Sequence, residues 1–222
     1  MRDYVRNQRG RMFESDFFEF FSKVHPSAPF IFWIPIGLGM LGWGLYTGLT
    51  AWTLTLAFFP LGWLTWQLME YFIHKKVFHW LGIGPLSRRF HDIVHGFHHK
   101  YPDDDSRLVM PLPVSIGLAG AIGGGLYFVG RPDMTLPFWV GLLFGYLWYD
   151  FTHWSTHFRK PLTQWGRELR SHHMAHHFAD PEANFGISHR WIDTLLGTRK
   201  KTMREEESEK LAEQGKQPQQ QP

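Results

Sequence analysis

Hydrophobic residues are concentrated in two long stretches of the chain that carry almost no charge. The first covers residues 30–73, contains no lysine or arginine, and has Glu70 as its only charged residue. The second covers residues 109–154 and is interrupted near its middle by Gly-Arg-Pro-Asp at 130–133. Because about 20 apolar residues span a bilayer as a helix, each stretch is long enough for two helices. The pattern predicts four transmembrane helices, roughly at residues 30–46, 52–73, 109–129 and 136–154.

Basic residues flank these helices unevenly, and this predicts the orientation of the chain. Five precede the first helix, six lie between the two hairpins and eleven follow the last helix, whereas the hairpin tips hold only Arg131. Cytoplasmic loops carry the excess of lysine and arginine, so both termini and the central loop are expected in the cytoplasm. The expected fold is all-α: an integral membrane protein of two transmembrane hairpins with a cytoplasmic helical cap.

Three regions are expected along the chain. Residues 1–29 form a cytoplasmic N-terminal segment, and residues 30–200 form the membrane domain. Residues 201–222 are polar and are expected to form a disordered or loosely helical tail.

Composition narrows the function classes. Aromatic residues make up 17% of the chain, with 11 tryptophans, which is typical of a membrane protein with interfacial aromatic belts. A net charge of only +3 does not suggest a nucleic-acid partner. The absence of cysteine from the sequence excludes disulfides and thiolate metal sites. The unusual feature is the presence of 14 histidines.

Twelve of the 14 histidines form four groups near the predicted cytoplasmic ends of the helices. The groups are His74 and His79; His91, His95, His98 and His99; His153 and His157; and His172, His173, His176 and His177. The two remaining histidines, His25 and His189, stand alone and are not expected to be ligands.

Helix geometry predicts which of these rings converge. Residues three or four apart share one helix face, so each His-x-x-His-His motif presents its three rings together. His74 and His79 are five apart, which separates them by about 140° on a regular helix. They would hold a metal from two sides, or the helix would break between them. His91 is expected to support a ligand, and His172 to support one or to be exposed.

Ten imidazoles are enough for two metal ions with about five ligands each and positions left open for oxygen. The alternative is a solvated or pH-sensing histidine-rich surface, and clustering at converging spacings favours metal binding. The expected ligands are His74, His79, His95, His98, His99, His153, His157, His173, His176 and His177.

Around these histidines the chain resembles the fatty acid hydroxylase/sterol desaturase superfamily, and in particular the fatty acid 2-hydroxylases, over roughly residues 14–198. The most specific parts of the resemblance are short segments next to the motifs. They are EYFIH at 70–74, HHKYP at 98–102, RLVMP at 107–111, GYLWYDFTH at 145–153 and NFGIS at 184–188.

This resemblance implies a membrane di-iron monooxygenase that uses O2 to hydroxylate the alpha carbon (2-position) of a fatty acyl chain, free or in a lipid amide. It implies that the ten imidazoles bind two iron ions, although the sequence does not separate iron from zinc. Tyr149 and Asp150 would occupy catalytic positions beside the metals. Asp150 would orient a ligand histidine through its second ring nitrogen.

The resemblance also implies partners. The acyl substrate would place its tail between the helices in the membrane, and electrons would come from an external carrier, a ferredoxin or a cytochrome b type protein with its reductase. Lys100, Tyr101 and Arg107 are candidates to contact the polar headgroup, and ordinary anchoring to phospholipid is an equal alternative for them. The neighbouring acidic residues 103–105 are expected to form a solvated turn.

Two other functions fit parts of the pattern. A sterol desaturase, or a sterol or carotenoid hydroxylase of the same superfamily, would share the ligands and differ in its substrate slot. A metal transporter or sensor would use the histidines without catalysis, but a transporter needs polar ligands at membrane depth, and the predicted spans have almost none.

Overall fold

The computed structural model of the chain describes residue 5 and residues 8–216, and its regular structure is entirely helical in that part. The α-helices are α1 (Asp16–Phe21), α2 (Ala28–Tyr46), α3 (Trp52–Ile73), α4 (Pro85–His91), α5 (Phe97–Lys100), α6 (Leu112–Val129), α7 (Pro132–Phe158), α8 (Gln164–Phe178), α9 (Trp191–Leu195) and α10 (Met203–Lys216). Two π-helical turns, His74–Phe78 and Asp92–Gly96, and a 3-10 turn at Asp105–Arg107 complete the set.

The four long helices α2, α3, α6 and α7 coincide with the four predicted hydrophobic helices to within about four residues at each end. Prolines lie in the first turns of α2, α6 and α7, where their fixed φ suits a helix and no amide hydrogen bond is lost. Among the described residues, the helix Ala28–Tyr46 and the segment Asp105–Val129 are long and apolar enough to cross a membrane.

Helix α7 lies at the centre of the bundle and contacts α2, α3 and α6. Its crossing with α3 brings the two backbones together at glycines. A Cβ atom on Gly62 would lie 2.0 Å from the carbonyl oxygen of Phe138, and one on Gly141 would lie 2.0 Å from that of Phe59. Small residues allow such close approach between helices in a membrane, so these two positions set the spacing of α3 and α7.

Two tryptophans in the core beside this crossing have their indole N–H groups paired inside the bundle. The indole N–H of Trp33 donates to the hydroxyl of Ser115 at 3.1 Å, and that of Trp139 donates to the carbonyl of Ala119 at 3.0 Å. Buried tryptophans without such partners would cost stability. These two bonds tie α2 and α7 to α6.

Arg107 links the N-terminal segment to the cap. Its side chain is 2% exposed, and it forms ion pairs with Glu19 and, at 2.6 Å, with Asp104. Burial acts to raise the pKa of Glu19, but two backbone N–H donors and the cations of Lys23 and Arg107 outweigh it and lower that pKa to about 2. The expectation that Arg107 contacts a lipid headgroup is therefore corrected, because its charge is already paired. Asp104 is 1% exposed and does not belong to a solvated turn.

The polar tail contains a helix. Helix α10 covers Met203–Lys216, where disorder or a loose helix is predicted, and the remaining residues, 217–222, lie outside the described part. Thr202 and Glu205 explain where this helix begins: the Glu205 amide donates to the Thr202 hydroxyl at 3.3 Å, and the Thr202 amide donates to the Glu205 carboxylate at 2.9 Å. This reciprocal pair is a capping box.

The α3–α7 crossing generates a stability prediction. In Gly141→Ala the new methyl group meets the backbone of α3, so we expect the free energy of unfolding to fall by about 1–3 kcal/mol. Thermal unfolding in detergent measures the change. The matched control is Gly124→Ala in α6, where a Cβ meets no atom within 4 Å. Equal melting temperatures for both variants would contradict the proposed contact.

Candidate metal centre

Four segments carry the predicted ligands to one end of the bundle. They are the end of α3 with the first π turn, the second π turn with α5, the C-terminal end of α7, and α8. The ten imidazoles form two groups of five, and within each group the ligand nitrogens all lie within 4.8 Å of one another. The first group is His74, His79, His95, His99 and His176. The second group is His98, His153, His157, His173 and His177.

Each His-x-x-His-His motif is divided between the two groups. In the motif of the second π turn and α5, His95 and His99 belong to the first group and His98 to the second. In the motif on α8, His173 and His177 belong to the second group and His176 to the first. Residues four apart thus stay together, and the residue between them turns to the neighbouring group. The expectation that all three rings of each motif converge on one point is corrected.

A π-helical turn brings His74 and His79 together. The amide of His79 donates to the carbonyl of His74 at 3.2 Å, an i→i+5 bond, and the two Nε2 atoms lie 3.3 Å apart. Residues five apart therefore share a face here, rather than splaying by the angle expected for a regular helix. His91 lies outside both groups, with its ring 6.4 Å from that of His79.

Distances within the groups fit metal coordination. Neighbouring Nε2 atoms lie 2.8–3.3 Å apart throughout both groups. Two imidazole nitrogens bound at right angles to one metal at ~2.1 Å would lie about 3.0 Å apart. The nitrogens are thus spaced as ligands around a common ion.

Two backbone carbonyls identify which ring nitrogen carries the proton in the first group. The Nδ1 of His74 donates to the carbonyl of Phe185 at 2.6 Å, and the Nδ1 of His176 donates to the carbonyl of Ala183 at 2.7 Å. Each neutral ring has one N–H, so both Nε2 atoms present lone pairs. Lone pairs that face each other need a cation between them, and this donor set therefore fits a metal ion.

The second group has a different support. The Nδ1 atoms of His98, His153, His173 and His177 have no hydrogen-bond partner among the described residues. Their rings are held by packing instead. His98 and His177, for example, meet edge to face with centroids 4.6 Å apart.

Burial keeps these imidazoles neutral. Burial lowers the pKa of His74 to about 4 and holds the pKa values of His95, His98 and His173 well below 6.5. Neighbouring rings act in the same direction on the last three. A neutral imidazole is the form that binds a metal, so protons compete weakly for the site at pH 7.

The loop that supplies both carbonyls is fixed by two buried carboxylates. Asp193 accepts hydrogen bonds from the amides of Phe185 at 2.8 Å and Gly186 at 2.7 Å. Glu70, from the end of α3, accepts from the amides of Ile187 at 3.1 Å and Ser188 at 2.9 Å. These carboxylates hold the loop whose carbonyls orient His74 and His176. The spacing of residues along the chain does not predict this role for either carboxylate.

His172 completes this support. It is 1% exposed, and its Nε2 lies 3.1 Å from the carboxylate of Asp193. Burial acts to raise the pKa of Asp193, but its bonds to His172, Thr198 and backbone amides outweigh burial and lower it. His172 was expected either to support a ligand or to be exposed. It is buried, and it contacts the carboxylate of Asp193, which holds the loop, and not a ligand histidine. The lone His189 and His25 lie outside both groups.

Tyr149 and Asp150 lie one helical turn before His153 on α7. The Tyr149 ring lies 5.7 Å from that of His153, and Asp150 is 1% exposed. Oδ2 of Asp150 and Nδ1 of His153 both lack a hydrogen-bond partner among the described residues. The predicted bond by which Asp150 orients this ligand is therefore not formed, and His153 is positioned by its helix.

The two other headgroup candidates follow α5. Lys100 is exposed, with its Nζ 5.6 Å from the Tyr101 ring centroid. The Tyr101 ring packs on Phe97 at 4.7 Å. Neither residue belongs to the two imidazole groups.

Comparison with known proteins gives consistent matches. Residues 59–198 match the family model described as fatty acid hydroxylase. The chain is 33% identical over 188 residues to a dihydroceramide fatty acyl 2-hydroxylase of Arabidopsis thaliana, covering 85% of this chain and 79% of that protein. It is 34% identical over 220 residues to the fatty acid 2-hydroxylase of Rattus norvegicus, covering 85% of this chain and 56% of that protein. The chain thus spans little more than half the length of the rat relative.

A solved structure has the same fold. It is described as full-length Scs7p with only the hydroxylase domain visible, and it superposes with a TM-score of 0.77 at 27% identity. The match covers 84% of this chain and 70% of that one.

Acid should destabilise the metal-free protein. The pKa of His74 is about 4 in the folded chain and 6.5 when unperturbed, so the unfolded chain binds more protons between these values. The free energy of unfolding should therefore fall as pH drops from 6.5 toward 4. Melting temperature measured across this range, after treatment with a chelator, tests the trend. The contribution of Glu19 is lost only at lower pH, between its ordinary pKa of 4.5 and about 2. Stability that rises below pH 6.5 would contradict burial of neutral rings.

The division of the motifs predicts metal content. His98→Ala/His177→Ala removes two imidazoles from the second group and none from the first, so bound metal should fall by about half. The matched variant His98→Ala/His99→Ala removes one imidazole from each group and leaves four in each. Four imidazoles still hold a metal, so this variant should retain more metal than the first. Mass spectrometry of the metal in purified protein measures both, and equal losses would contradict the assignment.

Proposed function

We propose that this chain, which belongs to the fatty acid hydroxylase family, is an oxidoreductase that holds two iron ions and hydroxylates the alpha carbon of a fatty acyl chain in a membrane. The observation that carries the proposal is the pair of five-imidazole groups at one end of an apolar helical bundle. The relatives' names add the acyl 2-position.

The chemistry needs a metal because side-chain acids, bases and nucleophiles do not break an unactivated C–H bond. Bound iron would supply activation of O2, with electrons delivered by an external carrier, so that one oxygen atom enters the C–H bond and the other leaves as water. Five imidazoles per group would hold each ion and leave a coordination position open.

The chain's own residues prepare this site in three ways. The carbonyls of Ala183 and Phe185 hold two ligand rings in the tautomer whose Nε2 is free. Glu70 and Asp193 keep those carbonyls in place through backbone amides. Seven of the ten rings are buried, which keeps these rings neutral and would limit side reactions with water at a bound metal.

The four long helices are proposed to cross the membrane, with both termini and the metal centre on the cytoplasmic side. Helices α3 and α7, of 22 and 27 residues, are long enough to span a bilayer. They pack with α2 and α6, which are both long enough and apolar enough to do so. The distribution of basic residues supports the orientation. An acyl tail would then lie in the bilayer while its carbonyl end reaches the imidazole groups at the membrane boundary.

Among the alternatives, a sterol or carotenoid substrate would leave the metal centre unchanged. The names of the relatives support an acyl substrate instead. A transporter is disfavoured because the two buried acids of the long helices, Glu70 and Asp150, lie near the metal-centre ends of α3 and α7 rather than at mid-membrane depth.

The reaction is tested with palmitate in which deuterium replaces both hydrogens of carbon 2. In membranes supplied with iron, O2 and an electron donor, we expect 2-hydroxypalmitate that retains one deuterium, detected by mass spectrometry. His176→Ala removes a ligand of the first group and should lower product at least about 100-fold. His25→Ala changes an exposed histidine outside both groups and should retain activity. Hydroxylation at another carbon, or turnover of sterols alone, would contradict the assignment.

A further inference from the structure

Helix α1 turns its aromatic side chains outward and a charged side chain inward. Phe17, Phe18, Phe20 and Phe21 are 65%, 58%, 74% and 51% exposed, whereas Glu19 is 6% exposed. At about 100° per residue the four rings cover one side of the helix, and Glu19 lies at the middle of the opposite side. A helix at a water-exposed surface buries its apolar face and exposes its charged face. Helix α1 has the reverse arrangement.

Polar contacts fix the orientation of this helix. The Glu19 carboxylate accepts hydrogen bonds from the amides of Met12 at 3.0 Å and Phe13 at 3.1 Å, and it also pairs with Arg107. Rolling α1 to cover its phenyl rings would break these bonds and leave two buried charges without each other. The outward direction of the rings is therefore built into the fold.

Two connections hold α1 close to the ends of candidate membrane spans. Residues 22–27 join it to α2, which limits the distance between the two helices to at most about 25 Å. The amide of Val24 also donates to the carbonyl of Ser106 at 2.7 Å, in the segment that leads into α6. Helix α2 and the segment Asp105–Val129, which contains α6, are long and apolar enough to cross a membrane. Both begin at the metal-centre end of the bundle.

Exposed apolar side chains continue along the chain from α1 into the first span. Ile31, in the first turn of α2, is 72% exposed. The side chains of a span that point away from the bundle face lipid, so this continuity and the attachment of α1 to the span ends favour lipid over a partner protein as the surface that covers the rings.

We propose that α1 lies flat in the cytoplasmic leaflet, at the boundary between the headgroups and the acyl chains, with its phenylalanine face immersed. The inference rests on the proposed placement of the long helices in the membrane. Amphipathic helices with such aromatic faces bury them about 5–10 Å into this boundary. Glu19 and Arg107 then face the protein side, where their charges pair away from the acyl chains.

This placement connects the bilayer surface to the metal centre. The Arg107 guanidinium that holds Glu19 lies 4.8 Å from the ring centroid of Phe97, the residue before the ligand His98. The lipid-facing helix is thus two contacts away from a helix that carries ligands. It supports the cap that holds the metal centre against the membrane.

The absence of cysteine from the sequence allows a direct test, because one introduced cysteine is the only labelling site. Phe20→Cys and Phe17→Cys are labelled with a nitroxide and reconstituted in phosphatidylcholine vesicles, after circular dichroism has shown wild-type melting. Electron paramagnetic resonance then measures access of the label to O2, which concentrates among acyl chains, and to a water-soluble nickel chelate. We expect both labels to lie about 5–10 Å below the phosphates.

Three control positions define the scale. Ile31→Cys should report the acyl region, and Glu182→Cys, in an exposed turn of the cap, should report water. Asp16→Cys lies on the flank of α1 and is exposed, so a helix that lies flat should hold its label closer to the water than the label at Phe20.

The following outcomes would overturn the inference. Access of the nickel chelate to Phe20→Cys equal to that at Glu182→Cys would place α1 in water. Equal depth at Phe20→Cys and Asp16→Cys would exclude a helix that lies flat. Low access to both reagents would show that protein covers the rings, and disulfide crosslinking of unlabelled Phe20→Cys between copies would identify that protein as a second copy of this chain.

The Ile31→Cys label separates this inference from the proposed membrane placement. If Ile31→Cys reports lipid and Phe20→Cys reports water, the inference about α1 fails and the placement of α2 stands. If both report water, the placement of α2 fails as well. Formation of the 2-hydroxy product is measured independently of either label, so the proposed reaction is not decided by this experiment.

Discussion

The convergence of ten imidazoles, seven of them buried, is the constraint on which the rest of the structure depends. His74 and His176 present Nε2 lone pairs to rings about 3 Å away, and two lone pairs that face each other repel unless a proton or a cation lies between them. Hydrogen bonds from His74 and His176 to backbone carbonyls leave their Nε2 atoms without a proton to share. Burial opposes protonation, which would be the other means of removing the lone pairs. The folded chain therefore brings together a set of donors that fits positive charge of the kind that metal ions carry.

Support for this arrangement reaches well beyond the ligands. Glu70 and Asp193 do not belong to either imidazole group, yet together they accept four backbone amides of the loop that carries the anchoring carbonyls. Gly62 and Gly141 let α3 and α7 approach closely, and these helices carry His74 and His153 at their metal-centre ends. A change in helix spacing would separate ligands of the two groups. Packing within the bundle and coordination at its end are thus mechanically linked.

Charged residues near the site differ in whether their charge is already paired, and this difference decides what they can bind. Arg107 follows a ligand motif, but Glu19 and Asp104 neutralise it inside the fold. Arg159 and Arg170, near the end of α7, have no carboxylate partner in the described part of the chain, and Arg170 donates to the carbonyl of Arg159 instead. Sequence position alone does not distinguish these two situations, since each set of cations lies a few residues from a ligand histidine.

The apolar pattern and the histidine spacing are enough to predict the four long helices and which histidines gather at one end of them. The length of an apolar stretch and the identity of a residue are local properties that do not depend on the fold. Helix α3 therefore begins and ends where the pattern predicts, and all ten predicted ligand histidines lie in the two imidazole groups. How those histidines divide depends on the folded chain, because a π turn moves His79 onto the face of His74. Each His-x-x-His-His motif also meets rings from other helices on two sides. The roles of Glu70 and Arg107 likewise depend on contacts with residues more than 80 positions away in the sequence. The role of Asp193 depends on contacts within a folded loop. Such contacts depend on how helices pack, which no spacing along the chain expresses.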